Sequence, residues 1–369
     1  MKKSLLEVLR APNSKKPLIL YVLLSESSSE GEEEDVIEGI LVSEHTPKKA
    51  YPIIHGVPIM LDDSFSRDFL SKHAVQISAN EVLNSLGLVA SEQTSWSFSS
   101  EWDHHFDSDL LKTWGWTIDA RVQQFFLETG LGPEDCKGKM ILDAGCGNGQ
   151  LSEGLCKLGA TIVALDYSTS VLGASRRRKS PNVHFVQGDL QAPPLAFEVF
   201  DLVISNGVIH HTKDTYKTFI KVAELVKPFG RFYLWLYRKP ESFGRRVFLY
   251  PIFDFMRLLV SRLPPFLQAF VVKCYARSLM IKHKLLGAST GRSWQEYVVA
   301  AYDSLTPFWR HYHTPLEVSC WFFKNGYSHS TLTHWDNPWG FGVVAMKEAQ
   351  DDTPGVNFGK VTSIERYYN

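Results

Sequence analysis

The sequence predicts an α/β fold in which a mostly parallel sheet carries helices on both faces. Short apolar runs, typical of strands that are buried on both faces, recur at 140–142, 161–165 and 200–204. Apolar residues at helical spacing, such as Leu151 and Leu155, lie between them. Strands that alternate with helices are the pattern of a parallel sheet.

A glycine-rich turn, Asp143-Ala144-Gly145-Cys146-Gly147-Asn148-Gly149, follows the first of these strands. Glycine lets the backbone turn sharply and approach a ligand closely, because it has no Cβ. A strand, a glycine turn and a helix N-terminus together form a nucleotide-binding crevice at the carboxyl end of a sheet. Three alternate glycines are costly unless something approaches the backbone, so we expect a ligand at this turn.

The spacing of the glycines argues against a dinucleotide. A dinucleotide fingerprint requires Gly-x-Gly-x-x-Gly, and Gln150 stands where the third glycine would be needed. Asp143 would repel a pyrophosphate but attract an ammonium group. S-adenosylmethionine carries an ammonium and a positively charged sulfonium, so the turn favours this cofactor.

Polar residues stand at the ends of the strands that follow. Residues 161–166 end in Asp166, 183–190 contain Asp189, and 200–206 end in Asn206; a Pro-Gly turn then precedes a fifth strand that reaches 234. This ordered set resembles the class I S-adenosylmethionine-dependent methyltransferases of small-molecule type. The resemblance implies a Rossmann-like core at 138–238. It also implies a seven-stranded, mostly parallel sheet whose last two strands form a hairpin with an antiparallel final strand.

The resemblance also assigns cofactor roles to residues in the glycine turn and at the strand ends. Asp143, Gly145 and Gly147 would hold the methionine part. Asp166 would bind the ribose hydroxyls. Tyr167, Asp189 and Leu190 would contact the adenine, and Asn206 would lie close to the methyl group. Each acid also has a simpler interpretation as a solvated residue at the end of a strand.

Two histidines follow the fourth strand, in Val208-Ile209-His210-His211. In related small-molecule methyltransferases a similar Val-x-His-His element lines the active site. A histidine has a pKa near neutrality, so it suits the removal of a proton from an acceptor hydroxyl or amine. The predicted catalytic residues are therefore His210, His211 and Asn206. The alternative, that the histidines only hydrogen-bond the loop backbone, stays open, because positioning supplies much of the catalysis of methyl transfer.

Composition narrows the choice of partners and compartment. The 369 residues carry a net charge of −1, which argues against nucleic acid as an electrostatic partner. Five cysteines without a Cys-x-x-Cys pair are typical of a reducing compartment. The sequence predicts no signal peptide and no apolar run of the ~20 residues that span a bilayer. We expect a cytoplasmic protein without a bound metal.

Residues 1–64 are predicted to form a small β unit with strands at 18–24 and 36–42. The pattern Tyr-Pro-Ile-x-x-Gly-x-Pro from Tyr51 resembles the end of a zinc-ribbon-like segment that precedes the catalytic domain of some bacterial methyltransferases. Ser25 and Ser43 stand where that segment would carry metal-binding cysteines, and serine is a poor zinc ligand. A degenerate, metal-free ribbon is expected, with His45 and His55 as ordinary surface or turn residues.

Residues 65–137 are predicted to be a helical linker with an aromatic segment, in which Trp96, Trp102 and Trp116 surround His104 and His105. The segment would cover the core, or act as a lid on the cofactor, because aromatic faces attract a sulfonium.

Residues 239–313 are an apolar, aromatic insertion that prolines divide into short predicted helices. From 245 to 284 it contains eight Lys or Arg against one acid, Asp254. We expect a helical cap over the acceptor or a homo-oligomer contact, with a peripheral membrane contact as the alternative. Arg245, Arg246 and Arg257 are candidates for binding an anionic acceptor, through the planar fork of guanidinium donors.

Residues 314–349 would complete the core with a helix and a β-hairpin, before a tail at 350–369. The sequence thus predicts an S-adenosylmethionine-dependent methyltransferase acting on a small, partly apolar molecule, such as a lipid-linked, saccharide or secondary-metabolite intermediate. Three alternatives stay open. They are an RNA or protein methyltransferase, an enzyme that promotes intramolecular attack on the cofactor, and a non-catalytic scaffold that binds it.

Overall fold

The computed structural model contains a small antiparallel sheet, a larger mixed sheet and helices that pack on both. It describes residues 1–26, 34–44, 48–62, 64–89, 112–113, 116–177, 180–244, 247–248, 250–287, 293–334 and 337–349. His45, the tail at 350–369 and most of the predicted aromatic segment, including Trp96, Trp102, His104 and His105, lie outside these ranges.

The small sheet lies near the N-terminus. It contains β1 (Leu18–Glu26), β2 (Asp35–Ser43), β3 (Ala50–Ile54) and β4 (Val57–Pro58), paired antiparallel in that order. The turn between β3 and β4 consists of His55 and Gly56, whose φ values of 50° and 77° are those of a type I′ hairpin turn. His55 is therefore an exposed turn residue, as its sequence context predicts.

The strand register of this sheet does not support the zinc-ribbon interpretation. Ser25 pairs with Val36 near one end of the β1–β2 ladder, and Ser43 pairs with Leu18 at the other end. At about 3.3 Å per residue, the stretch of β1 from Leu18 to Ser25 is roughly 23 Å long. Residues of any type at 25 and 43 therefore could not bind one metal ion together.

Short helices follow, named α1 (Arg67–Lys72), α2 (Ala74–Ala79) and α3 (Glu81–Ser85). A strand pair, β5 (Lys112–Thr113) and β6 (Trp116–Thr117), leads into α4 (Ile118–Thr129). The Thr117 side chain caps α4 by accepting from the Ala120 N–H, and Gly130 ends the helix at a φ of 69°.

The larger sheet carries the candidate site. Its strands are β7 (Met140–Ala144), β8 (Thr161–Asp166), β9 (Val183–Gln187), β10 (Phe200–Asn206), β11 (Val226–Tyr237), β12 (Tyr327–Thr333) and β13 (Gly340–Lys347). They lie in the order β12-β13-β11-β10-β7-β8-β9. The pairs from β11 to β9 are parallel, whereas β13 is antiparallel to both of its neighbours. The predicted seven-stranded, mostly parallel sheet with an antiparallel final strand is confirmed.

Apolar side chains alternate between the two faces of this sheet and form two cores. Leu142 and Val163 belong to one core, which also contains Tyr51 and Met60 of the N-terminal segment. Ile141, the residue before Leu142 on β7, faces the other side of the sheet and belongs to the other core. Both faces are covered, so the strands carry apolar residues on both faces over most of their length, as strands of a buried parallel sheet do.

The helices α5 (Gln150–Cys156), α6 (Ser170–Arg177) and α7 (Thr215–Ala223) connect the parallel strands. The Pro-Gly turn predicted before the fifth strand interrupts the start of β11. Phe200 pairs with Val226 but Leu202 pairs with Arg231, so the residues around Pro228 and Phe229 bulge out of the ladder.

The insertion contains α8 (Tyr250–Val260), α9 (Pro265–Leu285) and α10 (Trp294–Leu305), which share a small core of their own. The prediction of short helices is wrong for α9, which is 21 residues long. Its prolines, 264 and 265, stand at the N-cap and first position, where the missing N–H costs nothing. Within the described ranges, no helix is both long enough and apolar enough to cross a membrane.

The last helix, α11 (Pro315–Lys324), precedes the β12–β13 hairpin. Thr314 and Glu317 form a capping box at its start: the Thr314 side chain accepts from the Glu317 N–H, and the Glu317 carboxylate accepts from the Thr314 N–H. This confirms the predicted start of the helix.

Candidate active site

A cavity of about 880 Å³ opens at the carboxyl ends of β7, β8, β9 and β10. One part of its wall, here called the turn side, consists of the glycine turn and the residues at these strand ends. The opposite part, called the insertion side, consists of residues from β11, α10 and the segments next to them. All eight predicted cofactor-binding residues line the cavity: Asp143, Gly145, Gly147, Asp166, Tyr167, Asp189, Leu190 and Asn206.

The glycines of the turn adopt the left-handed backbone region that glycine tolerates. Gly145, Gly147 and Gly149 have φ values of 95°, 54° and 74°. A Cβ added to Gly145 would lie 2.3 Å from Val208 Cγ2, and one added to Gly149 would lie 2.7 Å from the Phe185 ring. The sequence argument attributed the glycines to a ligand. At these two positions a side chain of the protein already occupies the space, so the glycines are needed for packing even without one.

Asp166, at the end of β8, holds the glycine turn in place. Its Oδ2 accepts from the Gly147 N–H at 2.8 Å, and its Oδ1 accepts from the Ser168 N–H at 2.9 Å and the Ser168 hydroxyl at 2.7 Å. A carboxylate has about four lone-pair sites, so acceptor capacity remains on the side that faces the cavity.

Asp143, at the end of β7, is only 4% exposed. The Ser152 hydroxyl donates to its Oδ2 at 2.6 Å. Burial raises the pKa of Asp143 to about 6, although the hydrogen bond from Ser152 opposes the rise. A cation placed beside this carboxylate would offset the cost of its burial.

Tyr167, Asp189 and Leu190 lie together on the turn side. Asp189 Oδ1 accepts from the Gln191 N–H at 2.8 Å. Leu190 is buried, and Tyr167 exposes 44% of its surface at the mouth of the cavity. An aliphatic side chain, a phenol ring and a carboxylate at one place provide a flat apolar surface with one hydrogen-bond acceptor.

His210, one of the predicted catalytic residues, does not reach the cavity. It is fully buried, and its ring lies 4.1 Å from the Tyr237 ring and 4.2 Å from the His211 ring. Burial holds the pKa of His210 well below its ordinary value. His210 is therefore a neutral residue of the core, and it is placed too deep to receive a proton from a ligand in the cavity.

His211, the next residue, lines the cavity on the insertion side. Its Nδ1 lies 3.1 Å from the Trp309 carbonyl oxygen, so Nδ1 carries the proton that donates to this oxygen. In the neutral ring Nε2 then has a lone pair, and it lies 3.7 Å from Asp303 Oδ1. Burial lowers the pKa of His211, while Asp303 opposes this change. His211 is thus a neutral base that faces the cavity.

Asp303 and Tyr237 complete this group, and no sequence motif predicts either of them. The Tyr237 hydroxyl donates to Asp303 Oδ2 at 2.7 Å. Asp303 lies on α10 within the insertion, far along the chain from His211, and its helix has no motif that marks it. Trp235, Phe308 and Trp309 add aromatic surface to the same side.

A second polar group on the cavity wall was also missed. Glu128 Oε2 accepts from the Tyr233 hydroxyl at 2.9 Å, and Glu128 Oε1 lies 3.0 Å from His334 Nε2. Burial alone would raise the pKa of Glu128, but hydrogen bonds with His334, Gln124 and Tyr233 hold it below its ordinary value. Arg121, two turns earlier on α4, lines the cavity as well.

Of the three arginines predicted to bind an anionic acceptor, Arg257 is the one in the described chain, and it does not line this cavity. Arg245 and Arg246 lie outside the described residues. Arg257 is 4% exposed and donates to the carbonyl oxygens of Pro307 and Phe308. Because it joins α8 to the segment after α10, Arg257 has a structural role and is not available to a ligand.

Among the residues that the structure describes, no three His, Cys, Asp or Glu side chains come close enough together to hold a metal ion.

Comparison with known proteins points to one family. Residues 142–234 match a family model described as a methyltransferase domain. The chain is 30% identical over 159 residues to the mitochondrial ubiquinone biosynthesis O-methyltransferase of Schizosaccharomyces pombe, an alignment that covers 39% of this chain and 57% of that relative. It is 36% identical over 90 residues to the malonyl-[acyl-carrier protein] O-methyltransferase of Enterobacter lignolyticus. That alignment covers 24% of this chain and 36% of the relative.

Solved structures show more distant similarity. An S-adenosylmethionine-dependent methyltransferase from Mesorhizobium loti shares 18% identity, with a TM-score of 0.41, and covers 62% of this chain and 100% of its own. The magnesium protoporphyrin IX methyltransferase of Synechocystis shares 16% identity, with a TM-score of 0.37. The match covers 75% of this chain and 100% of that one.

The sequence matches span only about a third to three fifths of the length of the curated relatives. They include β10 and most of β7, together with the glycine turn and the strand-end residues of the turn side. Residues 142–234 of this chain are thus similar to a family of methyltransferase domains.

Proposed function

We propose that this protein transfers a methyl group from S-adenosylmethionine to a small-molecule acceptor. The observation that carries the proposal is the convergence of Asp143, Asp166 and Asp189 at one edge of the sheet, around a cavity that continues to a neutral histidine. The cavity thus offers carboxylates for a cationic cofactor and a base for an acceptor. It also has a volume within the range of small-molecule sites.

The residues of the turn side fit the parts of the cofactor. Asp143 is buried and would gain from a cation beside it, so we assign it and the backbone at Gly145 and Gly147 to the methionine part. Asp166 would accept from the ribose hydroxyls, and Tyr167, Asp189 and Leu190 would bind the adenine. Asn206, at the end of β10, would lie near the methyl group. When bound, S-adenosylmethionine supplies an electrophilic methyl group.

On the insertion side, His211 would take the proton of an acceptor hydroxyl or amine. Its Nδ1–H is held by the Trp309 carbonyl, which leaves Nε2, 3.7 Å from Asp303 Oδ1, as the nitrogen that can accept a proton. Asp303 would stabilise the imidazolium that forms, and Tyr237 would hold Asp303 in place. His210 has no catalytic part in this proposal.

We propose an acceptor that is partly apolar. Trp235, Phe308 and Trp309 line its side of the cavity, together with Val299 and Tyr302 of α10. The matched relatives are named for different acceptors, so their names do not select one for this chain. An anionic group on the acceptor, a cytoplasmic location and the absence of nucleic acid from the partners remain predictions.

We also propose a division of labour along the boundaries predicted from sequence. Residues 138–238 would bind the cofactor, 239–313 would close the acceptor part of the cavity, and 314–349 would complete the sheet. The position of Tyr302 and Asp303 in the cavity wall supports the role given to the insertion. Oligomerisation through 239–313 is the competing proposal for its outer face.

The cofactor assignment is tested by changing Asp166. Asp166→Ala should weaken binding of S-adenosylmethionine by about 1.5–3 kcal/mol, because hydrogen bonds to a charged carboxylate are lost. Isothermal titration calorimetry measures this change. Ser168→Ala is the matched control, since it removes a hydrogen bond that orders Asp166 but leaves the carboxylate.

Unchanged affinity in Asp166→Ala would contradict the assignment. Tight binding of a nicotinamide dinucleotide to the parent protein would contradict it as well. A loss in Ser168→Ala as large as that in Asp166→Ala would show that the carboxylate acts only by ordering the loop.

A further inference from the structure

We propose that the outer face of the insertion helices α8 and α9 binds an anionic membrane surface. This face, called the insertion face, consists of exposed apolar side chains and the cations between them. Its apolar members are Ile252, Phe255, Met256, Leu259, Phe266, Leu267, Phe270 and Ile281.

The apolar residues of α8 form one stripe. Ile252, Phe255, Met256 and Leu259 follow the spacing i, i+3, i+4, i+7, which places them on one side of a helix. Each exposes more than half of its surface, with Phe255 at 63%. Exposed apolar area of this extent marks an interaction site in a folded protein.

The packing of the insertion does not account for this stripe. Val260 of α8 and Val272 and Ala276 of α9 are buried in the insertion core together with residues of α10, and none of them belongs to the exposed face. Both helices therefore have a buried face that forms the insertion core and an apolar face that remains outside. A helix that only needed to fold onto its neighbours would carry polar residues there.

Cations lie within the same face of α9. At 3.6 residues per turn, Phe266, Phe270, Lys273, Arg277, Ile281 and Lys284 fall within an arc of about 80°. Lys273, Arg277 and Lys284 are exposed. From 255 to 287 the chain contains no Asp or Glu, and Asp254 is used by Arg257 at 3.3 Å. An exposed surface that combines phenylalanines with long cationic side chains suits a membrane interface, because the rings enter the acyl boundary while the cations reach anionic headgroups.

Charge decides between a membrane and a second copy of this chain. A two-fold dimer through this face would place the same cations opposite each other, and they would repel. An anionic lipid surface attracts these cations. Each Lys or Arg near the surface raises the affinity for the membrane about fivefold. The helices would lie on the membrane, because none in the described chain can cross it.

The position of the face is consistent with the rest of the molecule. Helix α10 packs under α9 and carries Tyr302 and Asp303 into the cavity wall. One layer of helices thus separates the membrane from the insertion side of the cavity. The binding proposal does not rest on methyl transfer, and its test uses no turnover.

The test is flotation of the full chain with vesicles of two compositions. Vesicles of phosphatidylcholine and phosphatidylglycerol in equal parts should carry the protein, and vesicles of phosphatidylcholine alone should not. Lys273→Gln with Lys284→Gln should weaken binding about 30-fold, from two cations at about fivefold each. Lys217→Gln with Lys221→Gln, on α7, is the matched control and should bind as the parent does.

The apolar part of the face is tested separately. Phe266→Ser with Phe270→Ser should reduce vesicle binding at least tenfold. Phe229→Ser with Phe323→Ser removes two equally exposed phenylalanines elsewhere and should leave it unchanged. All variants should keep the circular dichroism spectrum and S-adenosylmethionine affinity of the parent. If the Phe266→Ser, Phe270→Ser pair changes the spectrum or the S-adenosylmethionine affinity, Ile252→Ser with Leu259→Ser is tested in its place. It should also reduce vesicle binding at least tenfold.

Three results would overturn the proposal. One is equal binding to both vesicle compositions, and another is no binding to the anionic vesicles at low salt. The third is a dimer in sedimentation velocity that the Phe266→Ser, Phe270→Ser pair dissociates, since the face would then be a contact between copies.

Discussion

Asp143 is the one buried residue among the three strand-end carboxylates. A carboxylate taken out of water favours its protonated form, and this is why its pKa rises to about 6. An ammonium group at the same place favours the ionised form. Binding of the cofactor is therefore coupled to the loss of a proton from Asp143.

The affinity for S-adenosylmethionine should consequently depend on pH. Between pH 5 and pH 7 the ionised fraction of Asp143 rises about tenfold, so the dissociation constant should fall by about the same factor. The α-amino group of the cofactor stays protonated over this range. Calorimetry at several pH values measures the slope. The Asp143→Asn variant should bind the cofactor more weakly, and its affinity should not vary with pH over this range. A pH slope that survives in this variant would mean that another group titrates.

The residues at the strand ends could be predicted because the chain itself brings them together. Parallel strands in one sheet end at one edge, so Asp143, Asp166 and Asp189 meet wherever the sheet forms. No such rule places Asp303 or Glu128, whose neighbours in the cavity come from distant segments. Nor does sequence separate His210 from His211: both lie in one short turn of helix, Ile209–His211, and packing alone directs one inward and the other to the cavity.

At the scale of elements, α10 is the helix that joins the insertion to the chemistry. Its capping box at Ser293 and Glu296 fixes where it begins, and Tyr297, Val298 and Ala301 anchor it in the insertion core. The same helix then presents Asp303 to His211 on the insertion side of the cavity, at 3.7 Å. The insertion is thus part of the site itself, and it contacts the histidine through Asp303 and through the Trp309 carbonyl oxygen.

Asp303→Asn should shift the acidic limb of the kcat/KM profile to lower pH. Asp303 raises the pKa of His211, so removing its charge lowers that pKa and keeps the histidine neutral in more acidic solution. The maximal rate should fall, because the imidazolium loses its partner. His211→Gln should remove the limb and lower the rate by roughly 10²- to 10⁴-fold.

His210→Gln is the matched control for this experiment, because His210 adjoins His211 but does not reach the cavity. Its profile should keep the parent's acidic limb. If the limb stays in place in Asp303→Asn, or moves in His210→Gln, another base serves the acceptor.

The helices of the core were easier to predict than those of the insertion. Thr314 and Pro315 mark the start of α11 through local chemistry, and the structure begins the helix there. In the insertion, the prolines at 251, 264 and 265 predict interruptions that divide it into short helices. Pro264 and Pro265 instead stand at the start of α9, where proline fits a helix, and the helix continues for 21 residues.

At the scale of the whole molecule, the N-terminal segment packs against the catalytic sheet. Tyr51, Ile53 and Met60 share a core with strands β7, β8 and β9. Leu9 bridges to Leu195, and the Arg10 N–H donates to the Pro194 carbonyl oxygen at 2.9 Å. The segment is held by apolar packing and backbone hydrogen bonds, which leaves no structural task for a metal in its described part.

Protein purified without chelator should contain no stoichiometric zinc. The reason is geometric, since positions 25 and 43 lie at opposite ends of the β1–β2 ladder. Inductively coupled plasma mass spectrometry measures the metal content, and the thermal midpoint should not change on addition of a chelator. One zinc per chain, lost together with stability in chelator, would contradict this.

The contact between Met60 and β9 bears on which parts of the chain can be separated. β9 is the outermost strand of the large sheet, and the Met60 N–H donates to its Gln187 carbonyl oxygen at 2.7 Å while Ile59 bridges to the same residue. A chain shortened to begin after residue 64 would leave that edge without a partner. Unpaired apolar edges recruit strands from other molecules, so we expect the shortened chain to aggregate more readily than the full chain.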